Sequence, residues 1–338
     1  MKKIISFTIT VFALLSCSSS EEPIRLTGQT MGTTYSIVIS DPADISATAL
    51  QREVDQRLLE INESMSTWIE DSELSRFNQS TSTDWFEISK DFYDVLSLSL
   101  DISQQTDGNF DVTVGPLVNL WGFGPKSTSA NRVPSEAEIT QAKMHVGFKY
   151  LSLAQSPYRI KKDNPAVYVD LSAVAKGYGV DQIATLVESK GVDSYLIEIG
   201  GEMATRGQSP RGTPWRLGIE RPDANLRAVI QQFEISEANM ATSGDYRNYF
   251  EIDGKRFSHT LNISTGYPID HRLASITVLA DNTATADAYA TAMMSMGETV
   301  GLEYAERAGI SVLMIIRLDD GTFEQRATGQ FLEKMGTQ

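Results

Sequence analysis

The chain has 338 residues, 41% hydrophobic and 22% charged, with a formal charge of −15 and a single cysteine. That is enough apolar material for one large domain or two intimate ones, and without a second thiol the fold must be held by its core rather than by disulfides. So acidic a surface disfavours nucleic acid and anionic headgroups, whose binding relies on Lys and Arg neutralising phosphate, so an anionic ligand must be met by a local device such as a helix end, a lysine or a metal ion.

Lys2 and Lys3 precede a short apolar run over residues 4–15. Spanning a bilayer takes about 20 apolar residues, so this run reads as a signal peptide over 1–16. Cys17 follows Leu14-Leu15-Ser16, an order that resembles the lipobox of bacterial lipoproteins, in which the cysteine is acylated and becomes the new N-terminus. Residues 17–24 would then be a lipidated tether, and the loss of Lys2 and Lys3 would take the charge from −15 to about −17. The expected location is the periplasmic side of a bacterial membrane, with the membrane a partner through its lipid anchor and Ser18 leaning toward the outer one.

From there the elements alternate. A strand is predicted over 33–40 and a helix over about 46–64, with Leu50, Val54, Leu58 and Ile61 at helical spacing. Helices follow over 91–106 and over 135–146, the latter with Ser135 as N-cap after Pro134. Strand composition marks 150–160, 166–171, 195–199 and 215–220, and Asp253-Gly254 between alternating runs marks a hairpin over 249–260. A strand over 274–280, a helix over about 285–296 and a helix–strand pair complete the order. Helices and hairpins mixed in this way imply an α+β or mixed α/β fold, not a regular doubly wound sheet.

Some segments carry chemistry. The stretch VYVDLSAVAKGYGVDQIATL, 167–186, reads as strand, turn and helix, with Lys176, Gly177 and Gly179 at the junction. Such junctions can cradle anions. Neither G-x-x-x-x-G-K-[ST] nor G-x-G-x-x-G is present, however, and glycine needed only for close packing explains the stretch equally well. Asp287 and Thr291 stand four apart on one helix face, offering hard oxygens of the kind Mg²⁺ prefers, or else a charge near a helix start and a back-bonded threonine. Asp111 lies in an apolar, glycine-rich stretch, 106–124, and must either cap backbone N–H groups or bind something. Gly200-Gly201 ends a strand, as a tight turn or to let backbone approach a ligand. Of the three histidines, His145 and His271 read as structural or solvated, while His259 closes the hairpin and precedes the turn-rich STGYP.

Taken together, Met31-Gly32-Thr33-Thr34-Tyr35, STWIEDSELSRFN, GNFDVTVGPLVNLWGFG, DLSAVAKGYGVDQIA, EIGGEMATRG, ATSGDYRNYF, SHTLNISTGYP and TADAYATAMMSMG occur in the order found in the ApbE family, which residues 25–335 resemble throughout. The resemblance implies an ApbE-like fold, mixed sheets flanked by helices, and an FAD:protein FMN transferase. Such an enzyme moves FMN from FAD to a Thr or Ser hydroxyl of a target protein and releases AMP, with Mg²⁺ as cofactor. By the same resemblance Met31, Trp68, Asn109, Phe110, Asp111, Asp170, Lys176 and Leu261 would contact FAD, while Asp287, Thr291 and the carbonyl of Ala173 would hold the metal. The implied partners are acceptor flavoprotein subunits of the Na⁺-pumping NADH:quinone oxidoreductase or of Rnf-type complexes. His259 is the candidate general base and Asp111 the alternative. Other activities compatible with the pattern are an FAD pyrophosphatase giving FMN and AMP, and a non-catalytic FAD-binding lipoprotein. The chain departs from the family's His-x-x-Asp-Pro-x-Thr-Gly at Asn262 and Ile263, and it has Ala290 where some members carry a second carboxylate.

Overall fold

The computed structural model describes residues 22–42, 44–127, 132–223 and 228–335. The expected signal peptide, Cys17 and most of the expected tether lie outside those residues, and Ile24, at the tether's end, is already the first residue of a strand.

Strands β1 (Ile24–Thr30) and β2 (Thr33–Ile39) pair through the turn Met31–Gly32, whose φ angles of 51° and 72° are both left-handed. Glycine suits such a turn and methionine does not, so the Met31 conformation must be enforced by its surroundings. The Met31 side chain packs against two hydrophobic cores at once. Helix α1 (Ala47–Met65) buries Leu50, Val54, Leu58 and Ile61 as its periodicity predicts, and Ser46 caps its start. After α2 (Glu73–Gln79), β3 (Phe86–Glu87), α3 (Lys90–Gln105), α4 (Gly115–Leu120) and α5 (Glu136–Lys143), the expected single strand over 150–160 is instead a hairpin, β4 (Leu151–Gln155) and β5 (Tyr158–Lys162), joined edge-on by β3. Then come α6 (Ala175–Glu188), β6 (Tyr195–Ile199), β7 (Glu202–Arg206), β8 (Trp215–Glu220), β9 (Val229–Ile235) and β10 (Ala238–Gly244). The predicted hairpin forms as β11 (Tyr249–Ile252) and β12 (Lys255–Ser258), followed by the short pair β13 (Leu261–Asn262) and β14 (Tyr267–Pro268). The chain finishes with β15 (Leu273–Ala280), α7 (Thr283–Ala308), β16 (Ser311–Arg317), β17 (Phe323–Ala327) and α8 (Gly329–Lys334).

Eight of these strands make one antiparallel sheet in the order β1-β2-β6-β7-β10-β15-β16-β17. Helices α1, α6 and α7 pack on one face, while β8, β9 and α8 close the other around Leu217, Phe233, Leu313 and Phe331. Helix α7 is alanine-rich because it is buried on two sides. Ala286, Ala290 and Met293 face the sheet, and Ala284, Ala288 and Ala292 face a second core built with α1, α2, α3 and the β3–β5 sheet. The helix is broken at Gly297, whose φ of 80° interrupts it at the end of the stretch predicted over 285–296.

One expected strand is absent. Residues 166–171 make a single bridge, Tyr168 to Val114, with the Asp170 N–H donating to the Val112 carbonyl at 2.7 Å, and side chains supply the partners of Val169 and of the Val167 carbonyl. The Asn78 amide donates to the Val169 carbonyl and accepts from the Val169 N–H, both at 2.8 Å. Lys162, fully buried, donates to the carbonyls of Phe77 (3.3 Å) and Val167 (3.4 Å) and lies 4.9 Å from the Phe77 ring centre. A strand's alternation was legible here, but the neighbouring strand is replaced by an amide and an ammonium.

Candidate active site at two facing helix starts

Helices α6 and α7 begin against each other and cap each other. The Asp181 carboxylate on α6 accepts from the N–H groups of Thr283 (2.8 Å) and Ala284 (2.9 Å), and Asp287 on α7 accepts from the Gly177 N–H at 3.1 Å. Val174, the residue before α6, supplies no side-chain cap, so Asp287 takes that part from the other helix. The approach is close enough that a Cβ at Gly177 would stand 2.4 Å from the Thr283 carbonyl oxygen. Glycine in AKGYG is therefore needed for packing, as the plainer reading of the motif held. The Gly177 N–H, directed at Asp287, is not given to the Ala173 carbonyl four residues earlier.

Into this junction points Lys176, with its Nζ 2.9 Å from Glu202 Oε1 and 3.6 Å from Asp287 Oδ2. Glu202 and Asp287 are each 3% exposed. Burial raises the Glu202 carboxyl and the negative Asp287 adds to the shift, while the Lys176 ammonium beside it opposes both and favours its charged form. Asp287 is likewise raised by burial, against Lys176 and the Gly177 N–H. Burial works against the Lys176 charge, but the two carboxylates overcome it and hold the ammonium above the ordinary lysine range. One cation thus faces two acids, and Glu202 Oε2 is buried with no hydrogen-bond partner. Nearby, the Thr291 and Ser243 hydroxyls lie 3.3 Å apart. A carboxylate, a hydroxyl and a carbonyl released from its helical bond, in a cluster short of positive charge, fit a hard divalent cation. Among the described residues no group of three or more His, Cys, Asp or Glu side chains is arranged to hold a metal, so such an ion would rely on these mixed oxygens.

His259 stands on an adjoining wall. Its Nδ1 is 3.0 Å from the Asn248 carbonyl, which also accepts the His259 main-chain N–H at 3.1 Å, and its ring meets Phe123 edge-on at 6.3 Å. A carbonyl only accepts, so Nδ1 carries the proton and Nε2 is the basic nitrogen. Burial lowers the pKa of His259, the Lys176 charge adds to that effect, and the Asn248 carbonyl and Asp245 oppose it. Asp245 is itself paired with Arg317 at 3.1 Å. Trp121 Nε1 donates to the Gly266 carbonyl at 2.8 Å and ties this wall to the 106–124 stretch. His145 pairs with Asn164, and His271 lies 2.8 Å from the Met294 carbonyl, both structural as expected.

The other expected flavin-nucleotide residues divide. Asn109 and Asp111 line a cleft of ≈ 510 Å³ together with Lys149, Ile263 and Ser264. Asp111 is occupied, however. Its Oδ1 accepts from Thr113 N (2.8 Å) and Oγ1 (2.6 Å), and its Oδ2 from Phe148 N (2.7 Å). Of the two roles open to it in the sequence, the structure shows the capping of backbone N–H groups. Asp170 caps in the same way, accepting from the Ser172 N–H at 2.9 Å. The Phe110 ring is buried in the core at 3% exposure, so only its backbone is available to a ligand. Trp68, by contrast, is 69% exposed after α1. The carbonyl of Leu261, a main-chain contact by expectation, already accepts from Ser295 Oγ at 3.1 Å. Met31 reaches the site, since a Cβ at Gly179 would lie 3.1 Å from its Cε. Sequence reasoning missed Glu202, although an acid directly after the Gly200-Gly201 strand end was its signal, and it missed Asp181.

Residues 31–314 match the model of the ApbE family. An FAD:protein FMN transferase of Vibrio cholerae serotype O1 is 44% identical over 319 residues, 94% of each chain, and one of Haemophilus influenzae is 43% identical over 330 residues, 95% of each. Among solved structures, the flavin transferase ApbE from Vibrio cholerae superposes with a TM-score of 0.85 at 43% identity, covering 92% of this chain and 99% of that one. The apo flavinyl transferase ApbE of Pseudomonas stutzeri superposes with a TM-score of 0.86 at 37% identity, covering 94% and 98%.

Proposed function

Because this chain belongs to the ApbE family, we propose that it transfers FMN from FAD to a Thr or Ser hydroxyl of a target protein, with release of AMP and dependence on Mg²⁺. Its likeness to FAD:protein FMN transferases over more than nine tenths of both chains makes it an enzyme of the flavin-transferase type.

The observation that carries the finer reading is the cluster of Lys176, Glu202 and Asp287 between two helix starts, where an ammonium and positive helix ends meet hard oxygen donors. There the Lys176 ammonium and the positive end of the α6 dipole attract and orient a diphosphate. Mg²⁺, held by Asp287, Thr291 and the Ala173 carbonyl, would neutralise charge on the diphosphate oxygens. In the reaction the acceptor hydroxyl oxygen forms a bond to the FMN-side phosphorus while the bond from that phosphorus to the bridging oxygen breaks, and AMP leaves with that oxygen. The hydroxyl proton goes to His259 Nε2, the nitrogen that the Asn248 carbonyl leaves free. The Met31 turn and Trp68, which is exposed, would meet the flavin half.

The acceptors we propose are flavoprotein subunits of the Na⁺-pumping NADH:quinone oxidoreductase or of Rnf-type complexes, and a lipid anchor at Cys17 on the periplasmic side would confine the enzyme to the surface where they lie. Incubation of the chain with FAD, Mg²⁺ and such a subunit tests the reading. Flavin fluorescence that stays with the denatured acceptor is expected. Free FMN and AMP in the absence of acceptor would identify an FAD pyrophosphatase, and bound but unconverted FAD a non-catalytic binder.

A further inference from the structure

We infer that Glu202 is a positioning residue that draws the Lys176 ammonium away from Asp287 and so keeps the Asp287 carboxylate open to a divalent cation, an inference that rests on reading Asp287 as a metal ligand. Lys176 Nζ has two acids within reach and is closer to Glu202, at 2.9 Å against 3.6 Å. A charge-assisted hydrogen bond closes to about 2.7–2.9 Å. By that measure the Glu202 bond is fully made and the Asp287 one is not. Glu202 is rigidly mounted, as the first residue of β7 and opposite Ile199 of β6 across the Gly200-Gly201 turn. The Lys176 stem is guided to it, for a Cβ at Gly200 would stand 3.3 Å from Lys176 Cδ.

The Lys176 side chain is only 28% exposed, and an ammonium so far withdrawn from water with two acids in reach does not remain unpaired. With the charge at position 202 removed, Asp287 becomes the one carboxylate in ion-pair contact with Lys176, so the ammonium closes on it and competes with any metal for the same oxygens. The other charged groups facing the junction do not substitute. Asp181 is committed to Thr283 and Ala284, and His259 Nδ1 is committed to the Asn248 carbonyl.

The test is Mn²⁺ binding without FAD, followed by electron paramagnetic resonance of the free ion, on the purified full chain and its variants. Glu202→Gln is expected to weaken Mn²⁺ by about 10- to 100-fold. Lys176→Met binds Mn²⁺ at least as tightly as the parent, and in that background Glu202→Gln changes affinity by no more than about threefold, because the competitor is gone. If Glu202→Gln alone leaves affinity unchanged while Asp287→Ala abolishes it, the inference falls and the metal reading stands. A Glu202→Gln loss that persists in the Lys176→Met background makes Glu202 a metal ligand and also overturns the inference. Should the parent fail to bind Mn²⁺, or Asp287→Ala retain it, the metal reading falls and takes this inference with it. If thermal unfolding shows that Glu202→Gln does not fold, Glu202→Asp, which keeps the charge but shortens its reach, replaces it with the same expectations.

Discussion

Asp111 and Asp170 are buried carboxylates that each accept from the backbone N–H two residues on, whereas Asp287 and Glu202 are buried carboxylates that share a lysine from another element. The first two occur as Asp-x-Thr and Asp-x-Ser, and each bonds the backbone N–H two residues on. The second two share one lysine and leave an oxygen without a partner. Both pairs are nearly inaccessible, so burial alone does not separate a structural acid from a functional one. What separates them is whether the surrounding donors saturate the charge.

That contrast is sharpest at Asp287. On the proposal that Asp287 holds the metal, Asp287→Ala would remove an oxygen worth several kcal/mol of charge stabilisation, so turnover with FAD and acceptor should fall on the order of 10³-fold while some FAD is still bound. Flavin fluorescence titration beside the transfer assay checks both halves. Next, His259→Asn should lower kcat by about 100-fold or more. Because burial lowers the folded pKa of His259, activity in the parent should rise with pH through a midpoint below 6.5, and the variant should lose that limb. The sign for stability agrees. A folded His that binds fewer protons than the unfolded one contributes fully above 6.5, and that contribution is lost as pH falls through the folded value, which chemical denaturation at several pH values reads directly.

The other side of the comparison predicts changes in stability rather than chemistry. Asp111→Asn exchanges a charged acceptor of three bonds for a weaker one and should cost about 1–2 kcal/mol in denaturant unfolding, with the pH dependence of kcat unmoved. A collapse of turnover at unchanged stability would break the distinction between the two pairs. The smallest effect is expected for Asp170→Asn, which keeps an acceptor for the Ser172 N–H and should cost less than about 1 kcal/mol by the same measurement.

Local chemistry explains how much of this was legible. Helical spacing at Leu50, Val54, Leu58 and Ile61 gave α1, and Asp253-Gly254 gave the hairpin, because both signals lie within a few residues. Strand β1 and the short α2 carried weaker patterns and were not anticipated. The stretch over 166–171 misled because alternation reports two faces, not a neighbouring strand, and here Asn78 and Lys162 stand in for one. At the site, family motifs pointed to Asp287 and Lys176. Glu202 escaped because the Gly200-Gly201 strand end beside it marks a turn but not the lysine from another element that it faces. The same holds for Asp181, whose partners are the first N–H groups of a helix far downstream.

Those mutual caps also set an order of events. The bonds from Thr283 to Asp181 and from Gly177 to Asp287 join residues 102 and 110 positions apart. While the ribosome has yet to deliver α7, helix α6 has a bare leading end and Lys176 lacks one of its two counter-charges. A polypeptide interrupted before Thr283 lacks the helix that fills both neighbouring cores and, with Asp287, the oxygen proposed to seat a cation.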